Sequence, residues 1–167
     1  HLSIRRQRQM CIRDSPRDIA HRTTSRSTAP RAICADPELY GFSWAQDSLI
    51  GAPDAHDMGW DGTGIRVGFL DSGFNHHDTH TALDHLDIVG TWNAHDSTEF
   101  VATGIHGTHV LSVAAGLDSM NFIGVAPGIE VLLVRTEDSE EEYPLEEDYW
   151  VAGLEWAEAM GADLIST

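Results

Sequence analysis

The sequence predicts an α/β protein, with a parallel sheet flanked by helices, and three observations carry that expectation. Short apolar runs of strand length recur at residues 65–70, 87–92, 130–135 and 163–166. Segments with helical spacing lie between them, at residues 107–117 and 145–160. The two kinds of segment alternate along the chain, which implies a parallel sheet covered on both faces. In such alternating sheets the chemistry sits at the carboxyl ends of the strands.

Taken in chain order, residues 1–35 look foreign to the rest of the chain. They mix Arg, Ser, Thr and Pro with a period of neither 2 nor 3.6. The run from Arg5 to Ser15 resembles the peptide made when a sequencing adapter is translated, so this extension is expected to be artefactual. A disordered remnant of a propeptide or linker is the competing account. Residues 36–167 are expected to be part of one domain. Ala52-Pro53 opens a helix that stops near Gly59, because proline suits the first helical turn. Gly62-Thr63-Gly64 turns the chain into the first strand. After the second strand, residues 107–117 form a helix with Val110, Val113, Ala114 and Leu117 on its inner face. Helix 145–160 is expected to pack through Trp150, Val151, Leu154, Trp156 and Ala157.

The 41% hydrophobic and 22% charged content is that of a globular chain. No apolar run approaches the roughly 18 residues that a membrane helix needs, so membrane insertion is not expected. No signal peptide is visible at the N-terminus. The net charge of −17 is unevenly spread, for there is no lysine, and every arginine except Arg66 and Arg135 falls between Arg5 and Arg31. Those two oppose all but two of the 27 acids from Asp36 onward. A body this acidic repels nucleic acid and anionic membrane; a generic solvated surface and adaptation to salt both fit it. Cys11 and Cys34 lie in the N-terminal stretch, which leaves no disulfide framework and no thiolate metal site in the rest.

Asp71 stands where the first strand ends, followed by Ser72-Gly73. A carboxylate there can hold a neighbouring imidazole, although an Asp before Gly also serves as a plain turn former. His106-Gly107-Thr108-His109-Val110 opens the next helix, 35 residues after Asp71. The His-x-x-His spacing could suggest a metal, but no Glu stands beside either histidine as a zinc protease would need.

In this order, Tyr40-Gly41, Gly51-Ala52-Pro53, Gly59-Trp60-Asp61-Gly62, the run from Val67 to Gly73, the run from His106 to Val110, Ile123-Gly124-Val125-Ala126-Pro127 and Gly153-Leu154-Glu155-Trp156-Ala157 resemble the subtilisin-like serine proteases, the subtilases of peptidase family S8. The acidic stretch from Arg135 to Asp148 more particularly resembles subtilases of environmental bacteria of the Bacteroidota type. The resemblance runs from about Tyr40 to Thr167 and implies the subtilase fold, truncated after about its first half. It implies a secreted endopeptidase acting on proteins or peptides, expected to be a monomer at full length. Asp71 would orient and support His106, and His106 would be the general base. The serine would lie on the order of 150 residues beyond His106. Ser72, Ser112 and Ser119 cannot substitute for it, so the chain alone is expected to be inactive. The alternative is a non-catalytic subtilase-like binding module, a pseudoenzyme.

No cofactor is required for the chemistry so implied. A structural calcium is unsupported, because His80 stands where better-known relatives carry a calcium-binding aspartate, and the loop 118–121 offers one carboxylate. His76, His77, His80 and His85 cluster after Asp71; they are expected to form a surface loop, with a transition-metal site as the sharper alternative. Glu140, Glu141 and Glu142 belong to a run that is usually a solvated face, but in subtilases the segment after the 130–135 strand borders the substrate cleft. The three glutamates are therefore candidate substrate-binding residues.

Overall fold

The computed structural model describes residues 33–138 and 143–167. Three short helices come first: α1 (Pro37–Tyr40), α2 (Trp44–Ile50) and α3 (Ala52–Asp57). Strand β1 (Arg66–Asp71) and strand β2 (Asp87–Asn93) come next, then α4 (His106–Ala115), a hairpin of β3 (Leu117–Asp118) and β4 (Phe122–Ile123), β5 (Glu130–Arg135), α5 (Leu145–Ala159) and β6 (Leu164–Ser166). The main sheet has the order β2-β5-β1-β6 and is parallel throughout. Its register sets Asp71, Asn93 and Arg135 abreast at the carboxyl ends of three adjacent strands.

Successive residues of a strand face opposite ways, and this sheet uses both faces. Val67, Phe69, Val131 and Leu133 pack with Leu111 and Ala115 of α4, and with Phe74, Leu83 and Val101, in the main core. On the other face α5 comes close because its contact residues are small. A Cβ added at Gly153 would lie 2.7 Å from Thr136 Cγ2, and one added at Gly68 would lie 3.2 Å from Ala157 Cβ.

This packing corrects two sequence expectations. The inner face of α4 is Gly107, Thr108, Leu111 and Ala115, whereas Val113 is 70% exposed. Val110 and Ala114 flank the core, and Leu117 has left the helix for β3. The helix stops at Ala115 because Gly116 turns extended, with ψ 149°, and a side chain there would strike the Phe122 ring. In α5, Gly153 and Ala157 are the buried residues, while Trp150 and Val151 are exposed. Trp156 is half-buried and stacks on Trp92, with ring centroids 5.9 Å apart.

Residues 33–35 lie against the domain, before the expected boundary at 36. Ile33 is buried with Tyr40 and Ile123, and the Ala35 amide donates to Asp57 Oδ1 at 2.8 Å. The helices α1 and α2 and the β3-β4 hairpin have no counterpart among the elements expected from the sequence.

Candidate active site

Asp71 ends β1, and its carbonyl accepts the Thr136 amide at 3.0 Å. Its nearly buried carboxylate accepts the Ser72 amide at 2.7 Å and the Ser72 hydroxyl at 3.2 Å, both at Oδ1. Both carboxylate oxygens also face His106 Nδ1, at 3.0 and 2.9 Å. A carboxylate only accepts, so Nδ1 carries the hydrogen, and the neutral ring is left with its lone pair on Nε2. The His106 side chain is 74% exposed. The pair is thus a fixed tautomer with an open, basic nitrogen at the carboxyl end of the sheet.

Two glycines let the turns that bear these residues interlock. Gly73 has φ 149°, and a Cβ there would lie 2.2 Å from Thr103 Oγ1 and 2.5 Å from the Gly104 amide nitrogen. A Cβ at Gly107 would lie 2.6 Å from both the Gly73 carbonyl oxygen and the Phe74 ring. No side chain caps the amino end of α4; the Gly107 amide there donates to the Gly73 carbonyl at 3.1 Å. The Phe74 amide bonds the Val101 carbonyl and the Asn75 amide the Gly104 carbonyl, each at 2.8 Å. Thr108 Oγ1 donates to the Asn75 carbonyl at 2.7 Å, and Thr103 Oγ1 to the Ser72 carbonyl at 3.0 Å.

The other candidate residues are placed elsewhere. His109 is exposed on α4, and Ser112 Oγ donates to its carbonyl at 2.8 Å. His77 Nδ1 donates to the Phe74 carbonyl at 2.7 Å, and His80 Nδ1 accepts the Ala82 amide at 3.2 Å, capping the turn 81–83. His85 Nε2 donates to the Ala115 carbonyl at 3.0 Å, and burial lowers the basicity of its ring despite that bond. Asp118 Oδ2 accepts the Asn121 side-chain amide at 3.1 Å. Among the described residues no three His, Cys, Asp or Glu side chains are grouped to hold a metal ion. Glu140, Glu141 and Glu142 lie outside the described residues.

Sequence reasoning passed over Thr103 and His95. The His95 ring lies 4.4 Å from that of Tyr149, and its basicity is lowered by burial and by the Arg135 guanidinium. Neither residue belongs to a periodic pattern, and each finds its partner far along the chain.

The chain is 36% identical over 89 residues to Subtilisin Savinase of Lederbergia lenta, covering 53% of this chain and 31% of that protein. Over 122 residues it is 29% identical to Subtilisin E of Bacillus subtilis, covering 71% of this chain and 30% of that protein. The chain spans 30% to 42% of the length of the curated relatives that it matches. In fold it resembles fervidolysin from Fervidobacterium pennivorans, with a TM-score of 0.56 at 22% identity over 80% of this chain and 24% of that one. The MycP3 protease from the type VII (ESX-3) secretion system matches with a TM-score of 0.56 at 22% identity, over 78% of this chain and 37% of the other. The family model of the subtilases matches residues 62–167, a span that holds both Asp71 and His106, and the chain therefore belongs to the subtilase family, peptidase family S8, a family of serine proteases.

Proposed function

We propose that the full-length protein is a secreted serine endopeptidase that hydrolyses peptide bonds in proteins, with Asp71 and His106 as two members of an Asp-His-Ser triad. One observation carries the reading: His106 Nδ1 is held by both oxygens of Asp71 at 2.9–3.0 Å while the ring's other nitrogen stays open. In this reading Nε2 takes the proton of the serine hydroxyl as its oxygen attacks the peptide carbonyl, and then returns it to the departing amine. The imidazolium formed between the two transfers is supported by the Asp71 carboxylate. A water molecule repeats the cycle to release the acyl group. Ser72 Oγ is bonded to the Asp71 carboxylate and Ser112 Oγ to the His109 carbonyl, so neither is proposed as nucleophile. The serine and the oxyanion donor come from elsewhere in the full-length protein, and these 167 residues alone are inert. The protein acts on peptide substrates without a cofactor for the chemistry, and Glu140, Glu141 and Glu142 add a weak attraction for basic substrate side chains.

The test uses the full-length protein, with casein hydrolysis and labelling by a fluorophosphonate as its two readouts. Both should be present, and His106→Ala should lower turnover by about 10⁶, the magnitude known for subtilisins. A folded full-length protein that neither hydrolyses casein nor takes the label would be a non-catalytic module.

A further inference from the structure

We infer that Thr103 is a positioning residue: through the Ser72 carbonyl, its hydroxyl sets where His106 stands relative to Asp71. The inference deepens the serine-protease reading and rests on it. Two segments distant in sequence must meet for the pair to form, residues 71–75 after β1 and residues 101–108 entering α4. Three backbone hydrogen bonds join them, from Phe74 to Val101, from Asn75 to Gly104 and from Gly107 to Gly73. All three act on residues 73–75. The residue in contact with the Asp71 carboxylate is Ser72, which bonds it with both its amide and its hydroxyl. Among the described residues, the 101–108 segment reaches Ser72 by hydrogen bond through Thr103 Oγ1, at 3.0 Å.

Thr103 precedes His106 by three residues, so its bond is a short tether from Ser72, beside the acid, to the entry of the base's helix. The fit is close. Gly73 cannot carry a side chain without striking Thr103 Oγ1, and a Cβ at Gly104 would lie 3.1 Å from Ser72 Oγ. Removing the hydroxyl leaves a half-buried carbonyl without its donor, and Ser72 is then free to turn. The carboxylate moves with it, because the Ser72 amide is its shortest bond. A base displaced by on the order of 1 Å from its working position can lose about 100-fold in rate.

The test compares Thr103→Val, which keeps the shape and removes the donor, with Thr103→Ser, which keeps the donor and removes the methyl group, both in the full-length protein. Thr103→Val should lower kcat by about 10- to 100-fold and leave KM within about twofold. Thr103→Ser should recover kcat to within about threefold of the parent. By proton NMR, the Nδ1–H resonance of His106 should move in Thr103→Val and return in Thr103→Ser. The NMR readout does not need peptide hydrolysis. If the parent cleaves nothing, the protease reading fails while the role of Thr103 is still decided. An unmoved resonance in Thr103→Val, a Thr103→Ser as altered as Thr103→Val, or a loss seen in KM alone would overturn the inference. If Thr103→Val does not fold, Thr103→Ala takes its place; failure of both to fold would count against it, for the hydroxyl would then be holding the fold rather than the base.

Discussion

His106 and His56 are each aimed by a second side chain, and of these two only His106 is open. His106 is held at Nδ1 by Asp71 and leaves Nε2 open at the surface. His56, in α3, is 2% exposed; its Nε2 donates to the Val125 carbonyl at 2.8 Å, and its Nδ1 accepts the hydroxyl of fully buried Tyr40. Both nitrogens of His56 are consumed, and it fastens the amino-terminal helices to the loop that leads into β5. Orientation alone therefore does not mark a base. An unused lone pair at an accessible place marks it, together with a partner that carries charge. A carboxylate can support an imidazolium, and a neutral phenol cannot.

The sharpest break of the comparison is to neutralise one partner. In the full-length protein Asp71→Asn should reduce kcat by about 10⁴, the size known for such triads, and leave the denaturation midpoint close to the parent's. Parent-like turnover would take Asp71 out of the triad. The matching change at the other pair, His56→Ala, should leave turnover per folded molecule intact and cost about 3 kcal/mol of stability in urea titration, since it opens a cavity and strands the Tyr40 hydroxyl. A His56→Ala variant as stable as the parent would mean that the pair fastens nothing.

The phenol gives a finer test through pH. Burial, then the charges of Asp47 and Asp57, push the Tyr40 pKa up to about 12 from an ordinary 10.0. The folded state thus holds this proton more tightly than the unfolded state. The associated stability is present below pH 10 and disappears as pH rises through 12, an effect of roughly 2–3 kcal/mol. Tyr40→Phe should flatten the alkaline limb of the stability curve between those values, and an unchanged limb would refute the assignment. The smallest effect belongs to the acidic run. Changing Glu140, Glu141 and Glu142 to glutamine should weaken any preference for Lys or Arg in a cleavage profile by about 0–1 kcal/mol per pair. The preference itself should fade near 1 M salt, where the screening length is about 3 Å.

Much of the frame is legible in the sequence for simple reasons. Residues 130–135 read as a strand because a run covered on both faces needs no alternation, and Asp71 and His106 stand out because each lies close to a glycine at an expected element boundary. The inner faces of the helices are less legible. Val113 looks like core by spacing, yet Leu111 and the small Ala115 pack in the core, while Gly107 and Thr108 are buried against the turn after β1. Gly153 and Ala157 likewise displace the larger Trp150 and Val151. Hydrophobicity counts side-chain size, whereas close approach of a helix to a sheet rewards its absence. The Tyr40–His56 and Thr103–Ser72 bonds span 16 and 31 residues and obey no period, so only the folded chain brings them together.

The interlocking of residues 71–75 with 101–108 has a kinetic consequence. The amides of Phe74, Asn75 and Gly107 are all bonded across that joint, so one local opening releases all three. In hydrogen exchange they should behave as a single unit with a shared opening free energy, below that of the β1 and β5 amides behind them. Each such opening also separates Asp71 from His106. The fraction of time for which the pair is assembled is then set by this joint and not by unfolding of the domain, so the site can fall silent in a molecule whose sheet is still intact.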